Sequence, residues 1–262
     1  MNENNENKQI EIDENEHTYK TIEAKPVFYP DDANFFFKNK LLLFITKFLV
    51  FIVGIFLIPF GYLFLGLRVK GKKKIKSVKK QGAIIISNHV HPLDSFYLVL
   101  TRQSKRIWVT SLMSNMGLPF FGKFVRLLAA VPIPETREGL RNFSKQMAVK
   151  LEKGDQVVIF PEAALKPFCD HIRPFKKGAF TLAMKNDVPI IPVVYTFHRA
   201  KGPFKWIKRK PCIHLNYLDP YYPPKDGSRA QNLEKAMNDL NKIMSDFFNE
   251  NTTYNYVKKE KK

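Results

Sequence analysis

The sequence predicts an α/β domain with a mostly parallel sheet flanked by helices, preceded by an N-terminal apolar, membrane-anchoring helical segment. Three observations predict it. From Gly82 onward, short apolar runs alternate with stretches of helical periodicity, as expected where parallel strands are buried on both faces and joined by helices. The run from Phe48 to Leu67 carries no charge and has about the length that crosses the hydrocarbon core of a bilayer. A chain of 262 residues that is 45% hydrophobic is long enough for one substantial core and an additional segment.

Taken in order, residues 1–34 are rich in Asn, Glu and Asp and have no periodic apolar face, so they read as a disordered acidic tail. A cationic start followed by an apolar run and a small-residue cleavage site is missing there, which argues against a cleaved secretory signal. Residues 35–68 form the anchoring segment. Leu41 to Leu67 is almost continuously apolar, broken by Thr46 and Lys47, while Pro59 and Gly61 interrupt it. One kinked span and two short helices that enter and return on the same side both fit. Arg68, Lys70, Lys72, Lys73, Lys74, Lys76, Lys79 and Lys80 follow directly, the signature of a boundary facing anionic lipid on the cytoplasmic side.

Residues 69–251 form the main domain. Ala83 to Ser87 suits a buried strand, and Pro92 opens a helix after it. Leu140, Phe143, Met147, Ala148 and Leu151 recur at helical spacing, and Gly154 falls just past that helix. Strands are expected over Val157–Phe160 and Ile190–Tyr195, with a helix at Ala179–Lys185 between them. Leu233, Met237, Leu240, Met244 and Phe247 mark a final amphipathic helix. Residues 252–262 form a frayed basic tail.

The formal charge of +19, from 43 Lys+Arg against 24 Asp+Glu, calls for an anionic partner. Because the charge clusters beside the apolar run and no nucleic-acid motif is recognisable, phosphate-bearing membrane lipid is expected and nucleic acid is not. Two aromatic–cation stretches, Leu118–Arg126 and Pro203–Lys210, suit an interface where rings insert and cations meet headgroups; the first also suits the lining of an acyl-chain site. Cys169 and Cys212 imply no disulfide framework and suit a reducing compartment.

The chemistry centres on Asn88-His89-Val90-His91-Pro92-Leu93-Asp94, directly after the first buried strand. On one continuous helix His89 and Asp94 would point apart. With a strand, a turn and then a helix, Asp94 falls in the first helical turn and can fold back on His89. An imidazole held by a carboxylate is a competent general base. No Ser or Cys stands in a nucleophile-elbow pattern, so direct attack by a substrate hydroxyl is simpler than a covalent intermediate. His89, His91 and His171 lack supporting metal-ligand spacing, and no metal is expected.

Asn-His, four residues, then Asp resembles the first motif of the glycerolipid acyltransferases typified by 1-acylglycerol-3-phosphate acyltransferase. Phe160-Pro161-Glu162 resembles the start of their Phe-Pro-Glu-Gly-Thr-Arg motif. Phe175-Lys176-Lys177-Gly178 and Val188-Pro189-Ile190-Ile191-Pro192-Val193 resemble later stretches in the same order. The resemblance implies transfer of a fatty acyl group from acyl-coenzyme A or acyl-carrier protein to a lysophospholipid hydroxyl, with lysophosphatidic acid leading and no cofactor beyond the acyl donor. It implies that His89 deprotonates the acceptor, that Asp94 orients His89, and that Asn88 and Glu162 help bind the acceptor. After Glu162 this chain has Ala163-Ala164-Leu165-Lys166, so the motif's Gly, Thr and Arg are absent. The acceptor phosphate is then left to Lys166, Arg173, Lys176, Lys177 or Arg137, of which an Arg pairs best with phosphate. The altered motif also admits another lysolipid or a glycolipid acceptor, or a catalytically weak lipid-binding membrane protein.

Overall fold

The computed structural model describes residues 25–101, 106–119, 121–201 and 210–254. Among these residues seven strands form one sheet: β1 (Arg68–Lys70), β2 (Ala83–Ser87), β3 (Ile107–Leu112), β4 (Ala130–Ile133), β5 (Gln156–Ile159), β6 (Ile190–His198) and β7 (Cys212–Tyr217). Their order across the sheet is β1-β7-β6-β2-β5-β3-β4. From β6 to β4 every pairing is parallel, whereas β7 runs antiparallel to β6 and β1 follows β7. All five residues of β2 are buried, as suits a strand that is apolar from Ala83 to Ile86 and lies between two neighbours in the centre of the sheet.

The helices among the described residues are α1 (Lys40–Phe60), continued by a π turn at Gly61–Leu65, α2 (Asp94–Thr101), α3 (Met113–Met116), α4 (Phe121–Leu127), α5 (Arg137–Glu152), α6 (Gly178–Lys185) and α7 (Arg229–Asn251). On α5 the buried residues Gly139, Phe143, Met147 and Leu151 recur every four positions, the stripe that lets a helix cover a sheet. Thr136 caps the helix by accepting the Gly139 N–H, and Gly154 takes a left-handed φ of 81° just past its end, a conformation glycine adopts without steric cost. Helix α7 starts with a capping box between Ser228 and Gln231 and buries Ala236, Leu240, Met244 and Phe248 against β6 and α6.

Pro59 does not split the apolar segment: α1 and its π turn make one helical run from Lys40 to Leu65. It is the one helix among the described residues long and apolar enough to cross a membrane. Phe44, Phe51, Phe56 and Phe64 are each at least 64% exposed. Its inner side lies on α2, where Gly54 faces Leu100 and Gly61 faces the Tyr97 ring, both too close to admit a Cβ without a shift.

The boundaries expected for residues 1–34 and 35–68 are corrected. Phe35 and Phe36 are buried in the main core, where Phe36 meets Trp108 edge-on at 5.1 Å; they belong to the sheet domain and not to the anchor. Residues 25–34 lie along that domain as well. Lys25 donates its N–H to Gly117 O, Asn142 and Gln146 donate to Ala33 O, and Asp31 binds Thr136. Polar side chains of α5 supply the partners that an isolated polar segment would lack. Residues 1–24 and 255–262 lie outside the described residues, as does most of the Pro203–Lys210 stretch.

The basic cluster is also redirected. Because β1 runs against β2, it carries the chain to the edge where the parallel strands begin. Gln156, the first residue of β5, there donates to Val78 O and Gln81 O. Lys72, Lys73, Lys76, Lys79 and Lys80 are exposed at that amino edge, while α1 ends at the opposite one.

Candidate active site

In an open parallel sheet the loops leaving the carboxyl ends of the strands converge on one edge, where ligands bind. His89 leaves β2 there, and Phe160 to Glu162 leave the adjacent β5. The chain turns at His91, whose carbonyl accepts the Asp94 N–H, and α2 begins at Asp94, two residues later than the Pro92 start expected. That turn folds the Asp94 carboxylate back over the loop. Asp94 Oδ2 lies 2.8 Å from His89 Nδ1 and accepts the N–H groups of Val90 at 3.0 Å and His91 at 3.3 Å. Asp94 has no exposed surface, while the His89 side chain is 21% exposed. The carboxylate therefore fixes the ring with Nδ1–H toward itself and leaves the Nε2 lone pair for a substrate proton. Phe160 stacks on the ring at 4.1 Å between centroids, which restricts its rotation further.

Asn88 has no exposed surface. Its amide donates to Tyr195 O at 3.1 Å and accepts the Tyr195 N–H at 2.8 Å, and the Tyr195 hydroxyl donates to Asp94 O at 2.6 Å. The expected contact of Asn88 with an acceptor is thus replaced by a positioning role: its polar atoms are engaged in holding the turn to β6. Burial pushes the Tyr195 hydroxyl well above its ordinary pKa, with Asp94 adding to the effect, so it acts as a neutral donor.

Glu162 and Arg173, expected at the acceptor, form a buried pair instead, both without exposed surface. Arg173 donates from Nη2 at 2.7 Å and Nε at 3.1 Å to Glu162 Oε2, and from its backbone N–H to Oε1 at 3.1 Å. Its Nη2 also reaches Ala164 O. Burial raises the Glu162 pKa, and the Arg173 guanidinium with the Arg173 and His89 N–H groups pulls against it. The His89 N–H donates to Glu162 Oε2 at 3.2 Å, so the pair supports the His89 backbone from behind.

Lys166 is tied to the dyad through its backbone, its N–H donating to His89 O at 3.0 Å, and its side chain is half-buried. Lys177 is exposed immediately before α6. Arg137 is exposed at the start of α5, three strands from β2 and so about 14 Å across the sheet at ~4.8 Å per strand. Arg126, in the stretch expected to meet headgroups, is used internally, donating to Ala130 O at 2.8 Å and lying over the Phe37 ring. His171 binds Asp170 at 2.9 Å. His91 accepts the Leu93 N–H at Nδ1, 3.1 Å away; burial lowers its pKa, Asp94 opposes this and Lys210 adds to it. Two site residues escaped sequence reasoning. Tyr195 read only as the end of an apolar strand, and Lys210, 6.0 Å from the Phe168 ring centre, read as part of a basic loop.

Fold and site together define an open α/β protein with a histidine–aspartate dyad at the carboxyl edge of its central strand. The Acyltransferase family profile matches residues 66–196, half of the chain and the whole of this constellation, and the chain belongs to that family. It is 30% identical over 146 residues to a 1-acyl-sn-glycerol-3-phosphate acyltransferase of Limnanthes alba, covering 54% of this chain and 50% of that protein. It is 30% identical over 166 residues to 1-acyl-sn-glycerol-3-phosphate acyltransferase beta of Homo sapiens, covering 58% and 56%. The chain thus spans about half the length of these relatives. The crystal structure of the 1-acyl-sn-glycerophosphate (LPA) acyltransferase of Thermotoga maritima superimposes with a TM-score of 0.49 at 19% identity, covering 83% of this chain and 100% of that one.

Proposed function

We propose that the protein is a membrane-attached O-acyltransferase that moves a fatty acyl group from an acyl thioester to the hydroxyl of a lysophospholipid, with 1-acylglycerol-3-phosphate the leading acceptor. The observation that carries this reading is the dyad: a half-buried imidazole oriented by a fully buried carboxylate at 2.8 Å, in a chain of the acyltransferase family. His89 Nε2 takes the acceptor's hydroxyl proton as its oxygen attacks the thioester carbonyl carbon. The C–S bond then breaks, and the departing thiolate takes the proton back from the imidazolium. Atoms and charge balance without a covalent enzyme intermediate or a metal. The donor is acyl-coenzyme A or acyl-carrier protein. The exposed apolar side of α1 enters the bilayer from the cytoplasmic side.

Lys166, whose backbone N–H bonds His89 O, and the exposed Lys177 are candidates for an acceptor phosphate, with Arg137 farther along the same edge. Burial of Arg173 against Glu162, together with Ala163-Ala164-Leu165 after Glu162, favours a second reading within the same chemistry, in which the acceptor is another lysolipid or a glycolipid. Purified full-length protein in detergent, given labelled acyl thioester and a panel of lysolipids, tests both. Turnover with lysophosphatidic acid, lost by about 10²–10⁴-fold in His89→Ala, is the expected result. Unchanged turnover in that variant removes the proposed base.

A further inference from the structure

The loop between Glu162 and Arg173 carries a group of side chains that the dyad does not use. Cys169, Asp170 and His171 are consecutive, yet one donor atom of each lies within 4.8 Å of the others. Cys169 Sγ is 3.8 Å from His171 Nδ1, and that nitrogen is 2.9 Å from Asp170 Oδ1. The bond from Phe168 N–H to Val90 O and that from Cys169 N–H to Lys166 O, with Phe168 at a left-handed φ of 51°, curl the loop so that these neighbours converge. Cys169 is buried, whereas 45% of the His171 and 25% of the Asp170 side chain is exposed, so the group opens toward solvent.

Zinc holds thiolate sulfur at about 2.3 Å and imidazole nitrogen or carboxylate oxygen at about 2.0 Å in tetrahedral sites. Ligands on such an ion stand roughly 3.3–3.5 Å from one another. The observed sulfur–nitrogen separation is within a few tenths of an ångström of that value. The nitrogen–oxygen pair, now hydrogen-bonded, needs to widen by about half an ångström, which rotation of a partly exposed Asp side chain accommodates. One thiolate, one imidazole and one carboxylate make a borderline donor set that suits Zn²⁺ or Co²⁺ and is unsuited to Mg²⁺ or Ca²⁺, which prefer all-oxygen shells.

We propose that Cys169, Asp170 and His171 form a three-ligand site for a divalent ion of the zinc class, with solvent in the fourth position. The site lies outside the dyad and takes no part in acyl transfer. It staples a loop whose upstream end bonds His89 O through Lys166 and whose downstream end is Arg173.

Metal-stripped full-length protein in detergent, titrated with Co²⁺, provides the test. The expected result is a thiolate-to-cobalt absorption band in the near ultraviolet that saturates at one ion per chain and is displaced by Zn²⁺. Cys169→Ser abolishes the band, His171→Ala weakens binding by about tenfold or more, and Cys212→Ser retains both. Absence of the band in the parent protein, or its survival in Cys169→Ser, overturns the site. An unchanged affinity in His171→Ala, a substitution at a half-exposed position, overturns it as well, even where Cys169→Ser fails to fold.

Discussion

Replacing Arg173 with Met separates two roles for that guanidinium. In the native protein it supplies two side-chain bonds to Glu162 Oε2 and one to Ala164 O, all within a site that has no exposed surface. The Met variant leaves Glu162 with the N–H groups of Arg173 and His89 as its remaining donors at that site, an uncompensated charge in the interior. Breaking a buried pair in this way costs about 3–5 kcal/mol, equivalent to a fall in melting temperature of roughly 6–20 °C for a domain of this size. Without Arg173, burial leaves the Glu162 carboxyl with a folded pKa above its ordinary 4.5. The protonated form is then the one the fold tolerates, so stability is greatest at low pH and is lost as pH rises through the folded value. Thermal unfolding in detergent followed by circular dichroism, at several pH values, measures this. Adding Glu162→Gln to Arg173→Met removes the stranded charge and recovers part of the loss, so the double variant falls less than the sum of the singles. A melting temperature within a degree or two of the parent, combined with a KM for lysophosphatidic acid raised tenfold or more, would refute the structural pairing and return Arg173 to the acceptor.

Other expectations concern the dyad, two half-buried histidines and the anchor. Asp94→Asn keeps the size of the side chain but removes the charge that orients and stabilises the imidazolium, so kcat falls by about 10²–10⁴-fold with little change in KM for the lysolipid; a decrease under threefold would deny Asp94 its role. His91 and His198 both have pKa values lowered by burial from 6.5. Their unfolded forms bind protons first, so stability present above about pH 6.5 declines as pH falls below it, and a flat unfolding profile from pH 7.5 to 5 would contradict their burial. Replacing Phe51, Phe56 and Phe64 together with Ser removes exposed apolar surface from α1. Co-flotation with phospholipid vesicles should drop sharply while the sheet domain keeps its melting temperature; undiminished flotation would show that another surface holds the membrane.

The readable part of this chain was the part governed by local pattern. The apolar run Ala83–Ile86 opens the central strand, Phe143, Met147 and Leu151 lie on the buried face of α5 while Leu140 is exposed, and His89 meets a carboxylate five positions on because a turn lies between them. The contacts that escaped are those set by distant residues. Asn88 looks like a loop amide available to a ligand until β6 brings Tyr195 alongside it from 107 positions away. Glu162 and Arg173 are 11 apart in a stretch that forms neither helix nor strand, so only the path of the intervening loop pairs them. The reversed direction of β1 is equally hidden. Three residues, Arg68–Lys70, carry no orientation signal, and pairing with β7 is what sends the following lysines to the far edge.

The clamp between Asn88 and Tyr195 has a consequence for local opening. The Tyr195 amide is protected by a side chain belonging to the turn that holds the base, on a strand that also pairs β2. Its hydrogen can therefore exchange with solvent only when the turn lifts away from the centre of the sheet, an event that also exposes the completely buried β2. Deuterium uptake at that amide accordingly tracks global unfolding and not loop breathing. The dyad is thus expected to persist intact through partial openings of the surrounding loops.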